Sequence, residues 1–386
     1  MKAIVLQGQW APKPELRLSP EHQAQKKAPG SLAWKDPRYQ AQTIDDPSPG
    51  HGEVVVRVRR VGVCGSDTHC YETDDEGYVL FSGPMVLPVV PGHEYAGEVV
   101  ALGPGVRNLR IGQLVAAEGM LNCGVCEACR SFKPNQCPTL EMVGFSAPGA
   151  YAEYITVAER FCWSLDGLAE STGSKEQALE LGALIEPISC PYNGIWVAGR
   201  GMLPGEHVVV YGCGPIGLGA IALCRAAGAA SILAVDLSAE RLLLATALGA
   251  DQVVDPRTLA PGELSALIRT RTRGWGADLQ VEAAGAAGVL MPEIETSFAP
   301  GGQMVYLGRT GERAPVMLDA LVTGAASING ARGHVGGGCF PKVIRLLEHG
   351  RLPVGAMITA HMEFADFAQA IEQSCTRSDG KIMIRV

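Results

Sequence analysis

The run Gly212-Cys213-Gly214-Pro215-Ile216-Gly217 constrains the fold more than any other segment, because it joins an apolar strand, Val208 to Tyr211, directly to a helical segment, Pro215 to Ala227. Each glycine has its own reason to be there. The first makes the tight turn, the second lets backbone approach a pyrophosphate, and the third lets helix and strand pack closely. The phosphates would rest on the helix N-terminus, where unpaired amides and the dipole favour negative charge. A glycine-rich turn without a ligand is the competing reading, and the strand-to-helix context weighs against it. Gly212, Gly214, Pro215, Ile216 and Gly217 are therefore candidate cofactor-binding residues.

The texture around this motif extends the inference. Ser231 to Val235 reads as a second strand and Ala239 to Leu248 as its helix, with further strands at Gln252 to Val254, Leu279 to Ala283 and Gln303 to Leu307. Strands alternating with helices are the pattern of a parallel sheet covered on both faces. Asp236 ends the second strand, nineteen residues beyond Gly217. A carboxylate there can hydrogen-bond both ribose hydroxyls of an adenosine and would repel a 2′-phosphate, which favours NAD over NADP. Arg241 nearby could accept that phosphate if Asp236 turned away, or it is simply a solvated helix residue.

Up to about Leu165 the pattern differs: short strands at Glu53 to Val61, Gly97 to Leu102, Gln113 to Ala117 and Ala150 to Val157, separated by Gly and Pro. This reads as a compact β-rich domain. Pro12 to Pro47 is polar and proline-punctuated, an insertion, loop or interface arm. From about Phe340 a helix to His349 and a strand near Ile382 are expected to return to the first domain. The division anticipated is residues 1–190 with 340–386 as one domain and 191–339 as the other.

Cys123, Cys126, Cys129 and Cys137 lie in one short loop, and thiolates at two-residue spacing can converge on a tetrahedral ion. Zinc takes four sulfur ligands in closed structural sites, which leave no vacancy for substrate. A disulfide pair or a chance cluster of buried thiols is the bland alternative.

Length and charge limit the remaining readings. A chain of 386 residues carries two to three domains on the usual scale. Its net charge of -8, with no stripe of Lys and Arg, argues against a nucleic-acid groove and for small-molecule partners. The opening Met1 to Leu6 is too short for the apolar core of a secretory signal, and the apolar stretch Val208 to Cys224 is broken by four glycines, so no membrane span is expected. A cytoplasmic protein is anticipated, in which twelve Cys stay reduced unless metal-bound.

A second set of ligand types lies outside the cysteine loop: Cys64 in Gly62-Val63-Cys64-Gly65-Ser66-Asp67, His93 with Glu94, and Glu186 before Pro187. Each is weak alone. Together with the nucleotide motif and the tetrathiolate loop they resemble the zinc-dependent medium-chain alcohol and polyol dehydrogenases, over nearly the whole chain. The resemblance implies an α/β protein with a GroES-like β-rich catalytic domain and a Rossmann doubly wound parallel-sheet domain that binds NAD. It implies Cys64 and His93 as ligands of a catalytic zinc, and Glu94 and Glu186 as carboxylates that bind the ion or hold its water, which of them being open. Cys123, Cys126, Cys129 and Cys137 match the family's structural zinc lobe.

The implied chemistry is polarisation of a bound alcohol by zinc and departure of hydride toward nicotinamide. Ser66 corresponds to the residue that takes the alcohol proton and His69 to its outlet toward solvent, unless His69 is an ordinary surface histidine. Asp67 positions the loop. Carboxylates at 94 and 186 suit polyhydroxylated substrates. The opening Met1 to Leu6, the insertion after it, Thr73 to Tyr78 and the Gly333-His334 turn resemble the inosose (keto-inositol) dehydrogenase branch, which oxidises a cyclitol. Tyr78 and His334 would then lie near substrate, with a packed aromatic and a turn histidine as equal alternatives. Sorbitol-type polyol oxidation and threonine 3-dehydrogenase activity are the rivals, and an inactive zinc-stabilised binding protein is the alternative of a different class. The family commonly forms dimers and tetramers, and a tetramer is anticipated.

Overall fold

The computed structural model describes every residue except Glu312 and Val335. The chain forms two units: Met1–Glu186 with Ala360–Thr376 and Lys381–Val386, and Pro187–Thr359 with Arg377–Gly380.

The first unit is built on a seven-stranded sheet. Its path runs Cys162–Ser164, Leu114–Ala117, Glu94–Leu102, Glu53–Gly62, Lys381–Arg385 and Ile358–Glu363, with Tyr154–Ala158 also paired to Glu53–Gly62. Val54, Val56 and Val58 alternate along the central strand into one core with Tyr95, Val99, Ile155 and Ile382, as the two-residue side-chain period of a strand requires. Register then delivers the site residues: Gly62 pairs with Glu94 on one side and with Met383 on the other. Cys64 follows where the central strand ends.

The polar arm after residue 12 is more ordered than its composition suggests. Trp34–Thr43 pairs antiparallel with Lys2–Trp10, from Lys2 opposite Thr43 to Trp10 opposite Trp34. Its exposure alternates along the strand, and Pro37 sits within it, which a two-stranded ribbon tolerates at an edge.

The second unit holds a six-stranded sheet in the order Gln252–Val254, Ser231–Val235, His207–Tyr211, Ala277–Glu282, Phe298–Tyr306, Ser327–Gly330. Every pairing in it is parallel. In chain order this is 3-2-1-4-5-6, the doubly wound arrangement with its switch point beside His207–Tyr211. Five of the strands follow the sequence reading. The sixth, Ser327–Gly330, is a four-residue edge strand with alternate exposure, too short and polar to announce itself. The helix Cys339–Glu348 forms as anticipated, but residues 340–359 belong to the second unit. Periodicity shows which face of that helix is apolar, Phe340, Val343, Ile344 and Leu347, and cannot show which domain covers it. Among the described residues no helix is long and apolar enough to cross a membrane.

Candidate active site

The turn after Gly62 is held by Asp67. Its Oδ2 accepts from the Cys64 backbone N–H at 3.0 Å and from the Tyr151 hydroxyl at 2.8 Å, while Tyr39 donates to its carbonyl at 2.9 Å. The short helix Gly65–His69 therefore starts at Cys64, with Ser66 one residue inside it. His69 ends the same helix, half-buried, and its carbonyl accepts from Phe81 N–H at 3.0 Å.

His93 arrives from the neighbouring strand. Gly92 precedes it at φ +90, where a Cβ would crowd Tyr151 at 3.0 Å, so glycine is needed to bring the imidazole round. His93 Nε2 lies 3.4 Å from Ser66 Oγ, its Nδ1 lies 3.8 Å from Asp67 Oδ1, and its ring packs 5.0 Å from that of Phe145. The ligand atoms of Cys64, His93 and Glu94 all fall within 4.8 Å of one another. Among the described residues His93 Nδ1, Glu94 Oε1 and Asp67 Oδ1 find no hydrogen-bond partner, although all three are buried, a costly arrangement for a site meant to stay unliganded. Burial disfavours a charged imidazole, yet Cys64, Asp67 and Glu186 override it and hold His93 up at about 10. That much negative field calls for a cation, and a thiolate, an imidazole and a carboxylate are donors that suit zinc.

Glu94 faces two ways. Its Oε2 meets Lys381 Nζ at 2.5 Å, Lys381 also donates to the Val63 carbonyl at 2.9 Å, and neither side chain exposes any surface. Burial pushes the Glu94 carboxyl up, and works against the Lys381 ammonium, but the adjoining carboxylate leaves Lys381 raised overall. The short contact and the second acceptor favour the charged pair. Lys381 was not among the sequence candidates; its one signal is a lysine directly before the apolar run Ile382-Met383-Ile384 in the strand Lys381–Arg385. Glu186, buried, lies outside the Cys64–His93–Glu94 group, although its charge bears on both His93 and Glu94.

The four lobe cysteines converge. Their Sγ atoms lie within 4.8 Å of one another, with Cys123 to Cys129 at 4.0 Å and Cys126 to Cys137 at 3.9 Å. Four thiolates about 2.3 Å from one tetrahedral ion stand about 3.8 Å apart, whereas a disulfide needs about 2.05 Å. None of the four lobe cysteines is in a disulfide. Backbone N–H groups of Val125 and Cys126 bring Cys123 down to about 6, as a thiolate ligand requires.

Tyr78 has a packing role: its hydroxyl donates to the Ala11 carbonyl at 2.9 Å and its ring lies under Lys13 and Lys35. The buried His334 ring lies 5.3 Å from Phe340, and its ligand nitrogen lies within 4.8 Å of the Cys190 sulfur.

In the second unit, Gly212 has φ +87, and a Cβ there would press the Ala283 and Ala284 backbone at 2.7 to 2.9 Å. A Cβ on Gly217 would collide with the Gly212 carbonyl. Gly214 caps the helix Pro215–Ala226, with Pro215 in its first turn. The nearest atom to a Cβ on Gly214 is Arg241 Nη1 at 3.8 Å, so the approach to that amide is open. Ile216 follows, half-exposed. Asp236 accepts from Cys213 N–H at 2.5 Å and Ser238 N–H at 2.8 Å, which fixes its carboxylate beside the glycine turn. Arg241 donates from Nε to the Asp379 carbonyl at 2.9 Å.

Comparison with known proteins agrees with both halves of this picture. Residues 50–167 match the alcohol dehydrogenase GroES-like domain and residues 215–349 the zinc-binding dehydrogenase domain. The chain is 37% identical over 362 residues to scyllo-inosose 3-dehydrogenase of Thermotoga maritima, covering 91% of each. It is 29% identical to L-threonine 3-dehydrogenase of Idiomarina loihiensis, over 88% of this chain and 94% of that one. A solved structure from Thermotoga maritima superposes with a TM-score of 0.93 at 33% identity, covering all of both chains. With the tetrathiolate lobe, the Cys-His-Glu group and the doubly wound sheet in place, the chain belongs to the zinc-dependent medium-chain alcohol and polyol dehydrogenase family.

Proposed function

We propose that this dehydrogenase oxidises a secondary hydroxyl of a cyclitol, of the inositol, inosose or aminocyclitol type, with NAD. The observation that carries the substrate class is the 37% identity to a scyllo-inosose 3-dehydrogenase across 91% of both chains. Two carboxylates bearing on one imidazole, Glu94 and Glu186 beside His93, add to it, since carboxylates accept from neighbouring ring hydroxyls.

When bound, zinc supplies a Lewis acid for the substrate hydroxyl and NAD supplies the hydride acceptor. In this reading Cys64 and His93 hold the ion, through Sγ and Nε2, and Glu94 offers its Oε1 while Lys381 retains Oε2. Glu186 holds water or substrate at the same centre. Asp67, 3.8 Å from Nδ1, orients the imidazole as a carboxylate behind a metal-bound histidine does. Ser66 Oγ, beside the ligand nitrogen, takes the hydroxyl proton and His69 passes it on. Cys123, Cys126, Cys129 and Cys137 hold a second, structural zinc. Gly212, Gly214, Pro215, Ile216 and Gly217 receive the pyrophosphate and Asp236 the ribose hydroxyls, which favours NAD, while Arg241, anchored through Nε to the Asp379 carbonyl, keeps its Nη1 beside Gly214 at the same cofactor site. Assembly as a homotetramer or homodimer in the cytoplasm belongs to the same proposal.

The test is NAD reduction by purified protein with myo-inositol, aminocyclitols, sorbitol, xylitol and L-threonine, and NADH oxidation with scyllo-inosose. Turnover fastest on the rings is expected. Silent rings with active threonine would overturn the cyclitol assignment, and absence of all turnover in protein carrying two zinc ions would point to a binding protein of the same fold.

A further inference from the structure

A cleft in the second unit shares no lining residue with the glycine turn or with the residues assigned above. It encloses about 440 Å3 and is lined by Tyr192, Lys342, Arg345, Leu346, His349 and Arg351. The helix Cys339–Glu348 buries Phe340, Val343, Ile344 and Leu347. That choice of inner face turns Lys342, Arg345 and Leu346 outward, with His349 continuing the row one turn on. Lys342 Nζ donates to the Gly337 carbonyl at 2.8 Å and stands 5.6 Å from the centre of the Tyr192 ring, which leaves ammonium donors to spare.

No carboxylate lines the cleft, and among the described residues none of these four basic side chains forms an ion pair with one. Some exposed bases elsewhere in the chain find acids, as Arg257 finds Asp255 and Arg225 finds Asp251. In a protein of net charge -8, convergence of Lys342, Arg345 and Arg351 without a counter-charge is unfavourable by mutual repulsion unless an anion enters.

We propose that this cleft binds a small phosphate-bearing molecule. Arg345 and Arg351 supply forked donors suited to phosphate oxygens, Lys342 a point charge, and the Tyr192 ring with Leu346 an apolar floor for an organic portion. Inorganic pyrophosphate and phenyl phosphate are the probes, the second reading the floor as well as the cations.

The experiment is isothermal titration of each probe into zinc-loaded protein saturated with NAD, so that the glycine turn is filled. A Kd below about 1 mM is expected for at least one probe. The R345E/R351E protein should lose at least about tenfold in affinity, and K342Q, a milder change at a half-buried position, should lose a smaller factor. Both variants should keep the parent circular dichroism. Absence of binding, affinity unchanged in R345E/R351E, binding that disappears when NAD is added, or binding of polyglutamate in place of either phosphate would each overturn the proposal.

Discussion

Lys381 and Glu94 meet at 2.5 Å with both side chains wholly removed from solvent. The strand between them makes this possible: a Cβ on Gly62 would press Lys381 Cδ at 3.1 Å and strike the Glu94 carboxylate. One oxygen of a site carboxylate is thereby held by a cation of the sheet, and the other is left to the Cys64–His93 side.

Removing Lys381 should expose the cost of that arrangement. Lys381→Met leaves a buried carboxylate without its partner, an effect of about 3–5 kcal/mol. Denaturant unfolding should show a loss in that range, and Glu94→Gln in the same chain should restore part of it. A single-variant loss below about 1 kcal/mol would place the pair among weak ones.

Metal uptake at the Cys64–His93–Glu94 group should be steeply pH-dependent. Without metal, His93 stays protonated up to about 10, and a ligating imidazole must be neutral. Binding at neutral pH therefore expels the His93 proton, and zinc affinity from this residue alone rises about tenfold per pH unit until about pH 10. Competition with a chromophoric chelator across that window measures the slope, and a flat profile counts against the assignment.

The lobe cysteines should govern stability and leave the chemistry alone. Purified protein is expected to carry two zinc ions per chain, and Cys126→Ser one, with a lower melting temperature and earlier loss of structure in chelator. Residual turnover per folded molecule should stay near the parent value. Loss of both ions together would show that the two sites are not independent.

Ser66→Ala should keep both zinc ions and lower kcat by about 10²–10⁴-fold, the usual contribution of a positioned proton acceptor. Metal content measured beside kcat separates this from damage to the ligand group 3.4 Å away.

Asp236→Ser should shift the coenzyme ratio. Loss of the carboxylate removes the repulsion of a 2′-phosphate, so kcat/KM for NADP relative to NAD should rise by about tenfold or more. Because Asp236 also accepts from Cys213 and Ser238 N–H groups, a stability loss of about 1–3 kcal/mol accompanies it. An unchanged ratio would mean that Asp236 does not face the ribose.

Much of the second unit was legible because its central strands are buried on both faces and read as apolar runs, such as His207–Tyr211 and Ser231–Val235. Edge elements were not: Ser327–Gly330 and Trp34–Thr43 alternate in exposure and carry polar residues. A half-solvated edge imposes little on composition. Lys381 escaped for another reason. A buried lysine is unreadable without its partner, and Glu94 lies 287 residues away in the chain.

Spacing alone determined the local devices, because each closes over a few residues: the cysteine lobe from 123 to 137, the glycine turn from 212 to 217, and the cap that Asp67 makes on Cys64 three residues back. Only the tertiary structure decided which distant groups share a charge field. Strand register set Glu94 beside Gly62 and brought the strand that begins at Lys381 to its other side, so a buried carboxylate gained a permanent cation. The physical reason is that hydrogen-bonded pairing fixes neighbours across the sheet by long-range register, which no count along the chain contains.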